Sequence, residues 1–144
     1  MKLEEIQTLW DKDSEIDRTE LGEESLRIAQ LHAKYFKLFS QERILLKKLE
    51  AEYSTLYKIK FEYYNGLLSH EDLKRYQWEP FSLKVLKTDL HIYIDSDKDI
   101  HAAQFKIDTQ KEKIHFLENI IKALNNRGFQ IKSAIDWTKF QNGL

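Results

Sequence analysis

Between Tyr57 and Gly66 the chain reads YKIKFEYYNG, two lysines set among four aromatic rings. Aromatic faces stack on unpaired bases and ammonium groups meet phosphates, so the stretch suits single-stranded nucleic acid. On the residues alone, the end of a packed helix with solvated lysines explains it better. On a helix, Lys58 and Lys60 point about 200° apart and cannot form one patch. Lys58 faces away from the apolar side, beside Lys47 and Asn65 in projection, as an ordinary solvated lysine does. Lys60 projects into the apolar side, between Leu49 and Tyr53. A lone buried ammonium is costly, so Lys60 must snorkel outward, or the stripe must open there to solvent or a ligand. Tyr53, Tyr57 and Phe61 run alongside at i, i+4 and i+8, with Tyr64 adjacent.

Other chemistry is sparse. DSDKDIHAAQFK, Asp95 to Lys106, begins like the D-x-D-x-D of a calcium loop. Ile100 stands where the sharp turn needs glycine, however, and Lys106 where the bidentate glutamate belongs. These acids suit a helix N-terminus, whose dipole favours negative charge. His32, His70, His91, His101 and His115 show no H-x-x-x-H or H-E-x-x-H spacing. Without cysteine there is no disulfide, thiolate metal site or cysteine nucleophile. Glycine-rich phosphate loops and nucleophile elbows are missing too. The expectation is a protein that is not an enzyme, with no cofactor and no metal.

The elements that must position these residues are helical. Four glycines and one proline in 144 residues, with 33% charged, favour long helices in one domain, or one domain plus an assembly segment. No run approaches the roughly 18 apolar residues of a membrane span. The charged start MKLEEIQTLWDKD argues against a signal peptide, so a cytoplasmic location is expected. Net charge is −1, yet residues 1–25 hold nine acids against three bases, leaving a mildly basic remainder. Such an acidic arm can self-associate, mimic a polyanion or bind a basic partner.

Residues 3–12 read as a short amphipathic helix, and Asp17 with Glu20 can cap the next one. From Arg18 to Leu67 the pattern is helical, with a corner expected near Phe39–Ser40. Ile28, Leu31, Tyr35, Leu38, Leu45, Leu46, Leu49, Tyr53, Leu56 and Tyr63 fall on one face. Gly66 weakens this helix, and Ser69 with Glu71 and Asp72 caps a short one that stops before Pro80. LHIYI, residues 90–94, fits a strand or a buried helical turn. Ser96 and Asp99 form an S-x-x-D capping pattern. Ala103, Ile107, Gln110, Ile114, Leu117, Ile121 and Leu124 then keep a heptad spacing. NNRG should close that helix, with Gly128 in the left-handed position. A short terminal helix follows, with Ile131, Ala134, Ile135 and Thr138 on one side and Phe129, Trp137 and Phe140 elsewhere. Apolar residues on two sides ask for neighbours, so a homo-oligomer is expected; the alternative is a tail folded back on its own core.

The order of KIKFEYYNG, DSDKDI and RGFQIKSAIDW with trailing Phe140, after the acidic start and DSEIDRTEL, resembles the UvsY-type recombination mediators of tailed phages nearly end to end. The resemblance implies a non-enzymatic recombination factor, assembled as a ring or open barrel through its C-terminal helices. It implies partners: single-stranded DNA, a phage RecA-like recombinase and a phage single-strand-binding protein. The basic pair of the family falls on Lys58 and Lys60. Lysine at 60 in place of arginine keeps the charge but lacks the planar fork that bidentate phosphate contact and base stacking use.

The expected fold is therefore all-α, with long antiparallel helices. Residues 1–94 are expected to carry the DNA-binding surface and residues 95–144 the oligomerisation helices of a hexamer or heptamer in the host cell cytoplasm. Expected DNA contacts are Lys58 and Lys60, with Tyr57, Phe61 and Tyr64 as stacking or supporting residues. Assembly is assigned to Ile107, Ile114, Leu117, Ile121, Leu124, Ile131, Ile135 and Phe140. The function expected is to bind single-stranded DNA and promote recombinase loading onto DNA covered by single-strand-binding protein. The alternative is a helical homo-oligomeric scaffold that binds protein partners without DNA.

Overall fold

The computed structural model describes residues 1–144. Its helices are α1 (Leu3–Asp13), α2 (Leu21–Tyr64), α3 (His70–Tyr76), α4 (Leu90–Asp95) and α5 (Lys98–Gln141), with a 3-10 turn at Lys87–Asp89. No residue lies in a strand, so the all-α expectation holds. No helix is long and apolar enough to cross a membrane.

Local chemistry explains most boundaries. At the start of α1 the Lys2 N–H donates to the Glu5 carboxylate at 2.7 Å, one arm of a capping box. Asp17 does not cap α2. Its Oδ1 accepts the Thr19 N–H at 2.9 Å and the Thr19 hydroxyl at 2.6 Å, a local turn that delays the helix to Leu21. No proline, and no glycine after Gly22, interrupts α2, and the expected corner at Phe39–Ser40 is absent. Gly66, at φ +72°, ends it, and the Leu67 N–H reaches back to the Glu62 carbonyl at 2.9 Å. Ser69 caps α3 as expected, its hydroxyl accepting the Asp72 N–H at 3.2 Å.

LHIYI is helical: Leu90 and Ile94, one turn apart in α4, are both buried. The cap of α5 is Asp97, whose Oδ1 accepts the N–H groups of Asp99 at 2.7 Å and Ile100 at 3.2 Å. Ser96 instead turns back to the Ile92 carbonyl at 2.8 Å. NNRG does not close α5. Gly128 keeps a negative φ within the helix, because Leu124, Arg127 and Ile131 on either side continue its buried face. Residues 129–141 thus continue α5 and do not form a separate helix.

The chain divides into two compact units, residues 1–44 with 111–144, and residues 45–110. In the first, Ile6, Leu31, Tyr35, Leu117, Ile120 and Leu124 form the core, with Trp10, Leu38, Phe39, Phe116 and Ile121 packed around it. Each fully buried Leu or Ile stabilises by about 1.5–3 kcal/mol. Leu124 shares this core with Leu31, and Lys113 pairs with Glu42 at 3.3 Å, so α2 and α5 run antiparallel here. The buried seam takes Ile120 in place of the expected Ile121, which is only half-buried. A straight helix drifts about 20° per heptad, so a strict seven-residue seam does not stay centred. In the second unit, Leu90, Ile94 and Ile100 are buried beneath Tyr53, Leu56, Tyr57, Tyr64 and Val85.

Candidate nucleic-acid interface

The C-terminal end of α2 belongs to the second unit, and Lys60 there is 3% exposed. It does not snorkel. Its Nζ donates to Asp99 Oδ2 at 2.9 Å and pairs with Asp97 Oδ2 at 3.0 Å. The same ammonium lies 3.7 Å from the centre of the Trp78 ring and 5.4 Å from that of Tyr63. The stripe is therefore open to an internal ligand, a pair of carboxylates supplied by α5 and the turn before it.

Asp97 holds the arrangement together. One oxygen caps α5, while the other accepts the Tyr64 hydroxyl at 2.6 Å and faces Lys60. Burial alone would raise its pKa. Hydrogen bonds from Tyr64, Lys60, Ile100 and Asp99 overcome that and hold the carboxyl below its ordinary range. Burial, followed by the bond to Asp97, pushes the Tyr64 phenol up, so it stays a donor.

Trp78 reaches Lys60 through the end of α3. Gln77 adopts the left-handed conformation at φ 59°, and the Trp78 N–H bonds the Leu73 carbonyl at 2.9 Å, closing the helix and turning the indole inward. Around it, Tyr76 stacks on Trp78 with centroids 4.7 Å apart, and Tyr63 contacts Trp78 and Phe81. The Tyr63 hydroxyl donates to the Glu79 carbonyl at 2.6 Å. An open cavity of about 340 Å³ remains beside Lys60, lined mainly by polar groups including Lys98, Asp99 and Glu79.

The five residues expected at DNA are thus divided between two environments. Lys58 is exposed, and Phe61, three residues on, is 37% exposed. Tyr57 and Tyr64 pack over the Leu90–Ile94–Ile100 cluster, and Lys60 is enclosed. Among the residues assigned to assembly, Ile107, Leu117, Leu124 and Ile131 are buried within the single chain, and Ile114, Ile121 and Ile135 are half-buried. Phe140 is 73% exposed, in the company of Phe129 and Trp137.

Sequence reading misses Trp78, Asp97 and Arg127. Arg127, inside NNRG, is buried and donates to the carbonyls of Asp13 at 3.0 Å and Ser14 at 2.7 Å. Its position three residues past Leu124 on the seam is the available signal.

Two long antiparallel helices, short ancillary helices and charged pairs set into the seam define an all-helical protein with an aromatic-rich helix end. Residues 9–144 match the family described as "Recombination, repair and ssDNA binding protein UvsY", and the chain belongs to that family. It is 26% identical over 147 residues to the "Recombination protein uvsY" of Enterobacteria phage T4, covering 99% of each. One crystal structure of the bacteriophage T4 recombination mediator protein UvsY shares the fold at a TM-score of 0.84, with 24% identity over 99% of this chain and 98% of that one. Another gives 0.79, with 23% identity over 98% of this chain and 99% of that one.

Proposed function

We propose that this protein binds single-stranded DNA along the outer face of the α2 end and acts as a recombination mediator. It promotes loading of a RecA-like recombinase onto DNA covered by single-strand-binding protein. The observation that carries this reading is the pairing of Lys58 with Phe61, an ammonium and a ring three residues apart, both facing solvent. A phosphate meets the first while a base stacks on the second. Tyr57, Lys60 and Tyr64 support the helix end that presents them. Family membership supports the choice of DNA over a protein partner.

A chain of net charge −1 binds DNA weakly through one such site. A homo-oligomeric ring repeats the site once per subunit, and linked sites raise the effective affinity of a strand that spans several. On this reading the strand is met within residues 1–94 and the assembly segment falls within residues 95–144. Phe105, Phe129, Trp137 and Phe140 are the large apolar residues of α5 left exposed, and the last three, near its C-terminal end, are the ones we assign to contact with a second copy.

The test is binding to a single-stranded oligonucleotide across a salt series. Wild-type protein should bind with strong salt dependence. Lys58→Ala should weaken binding and lower the slope of log K against log salt by about 0.7 for each phosphate no longer neutralised. Salt-independent or undetectable binding by the wild type would overturn the reading and favour a protein-binding scaffold.

A further inference from the structure

The second lysine of YKIKFEYYNG requires a different role from the first. An ammonium has three N–H donors. Three groups crowd that of Lys60: Asp99 at 2.9 Å, Asp97 at 3.0 Å and the Trp78 ring at 3.7 Å. Asp97, Asp99 and Glu79 against Lys60 and Lys98 leave the lining of the cavity beside Lys60 net negative, so a phosphate approaching Lys60 meets repulsion and no free donor. The charge on Lys60 is satisfied inside the protein.

Its position still matters to the DNA-facing surface. Lys60 lies two residues after Lys58 and one before Phe61 on the same helical turn. With about 100° between successive residues, holding Lys60 inward fixes Lys58 and Phe61 on the outer side. The other charged residues of the last turns of α2 make no ion pair: Lys58 is exposed and Glu62 is half-buried, whereas Lys60 meets two carboxylates. The carboxylate that receives Lys60 is also the cap of α5, so rotation of α2 would disturb the start of α5 as well.

We infer that Lys60, Asp97 and Trp78 form a lock that sets the rotation of the α2 end, and that all three are positioning residues, not phosphate ligands. The inference rests on the DNA-binding reading above for its functional meaning, but the lock itself is a property of the folded chain.

Two measurements test it, each with its own outcome. In the oligonucleotide salt series, Lys60→Met should lower affinity and leave the slope unchanged, whereas Lys58→Ala lowers the slope by about 0.7. Lys60→Arg, whose guanidinium can meet the same two carboxylates, should restore wild-type affinity. A slope reduced as far by Lys60→Met as by Lys58→Ala would overturn the inference. Should Lys60→Met fail to fold, Asp99→Asn takes its place, because Asp99 is partly exposed and Asp97 remains. The lock predicts an unchanged slope. A steeper slope, by about 0.7, would show Lys60 released onto phosphate and overturn the inference. The second measurement needs no DNA. Thermal melts of Lys60→Met, Asp97→Asn and the double variant should show the pair losing less than the sum of the singles. Strict additivity would remove the lock, even if the protein binds DNA as proposed. Loss of wild-type DNA binding with non-additive melts would instead remove the functional reading and leave the lock standing.

Discussion

One carboxylate at Asp97 caps a helix, receives a phenol and faces an ammonium, and that convergence has a measurable pH signature. Its folded pKa lies below the unfolded value, so between the two the unfolded chain binds more protons. The stability it contributes is fully present above the unfolded value, near 3.8, and is lost as pH falls through the depressed folded value. Asp13 is lowered as well: burial opposes ionisation there, but Lys34 and Tyr35 more than offset it. Denaturant melts of the wild type from pH 6 to 2 should therefore steepen below about pH 4. Asp97→Asn should be less stable at pH 6 and flatter in that acid limb, and an unchanged limb would assign the acid loss elsewhere. At this scale the sequence shows half of the site. Helical geometry singles out Lys60 as misplaced for a core. Its partners stand 37 and 39 residues away, where no local pattern connects them.

At the scale of elements, glycines 66 and 128 look alike in sequence and behave oppositely. Gly66 sits at φ +72°, a conformation in which a Cβ is strained, and it ends α2. Gly128 is helical, exposed, and has open space where a Cβ would stand. Gly66→Ala should destabilise the fold by about 1 kcal/mol, and Gly128→Ala should stabilise it by about 0.5–1 kcal/mol. Paired thermal melts check both signs. Local rules weigh glycine heavily and predict a stop at NNRG, whereas the tertiary seam through Leu124, Arg127 and Ile131 decides the outcome. The stripe of α2 is largely legible, with Leu31, Tyr35, Leu38, Tyr53 and Leu56 packed as expected and Leu45 exposed. What periodicity cannot reveal is the charge matching within each unit. Buried Glu42 meets Lys113 in one, and Lys60 meets Asp97 in the other. Each pair penalises a helix shifted along its partner, since a shift would strand a charge.

At the scale of the whole molecule, the exposed apolar residues of α5 set an expectation for assembly. Trp137 and Phe140 stack on each other at 5.6 Å and are both exposed, so removing them costs the single chain little. Trp137→Ala/Phe140→Ala should leave the melting transition nearly in place and lower the mass found by light scattering. An unchanged mass would assign assembly to another face. Truncation after Asn126 is a poorer probe, because it also removes Arg127 and Ile131 from the chain's own core. The Arg127 hydrogen bonds to the carbonyls of Asp13 and Ser14 span 114 and 113 residues. The second unit, residues 45–110, is continuous in sequence, whereas the first joins both ends of the chain. During synthesis, at roughly 5–20 residues per second, α1 therefore waits several seconds for the arginine that clasps its C-terminal end. The unit that carries the Lys60 lock is by then synthesised in full, so vectorial synthesis favours closing the lock before the clasp.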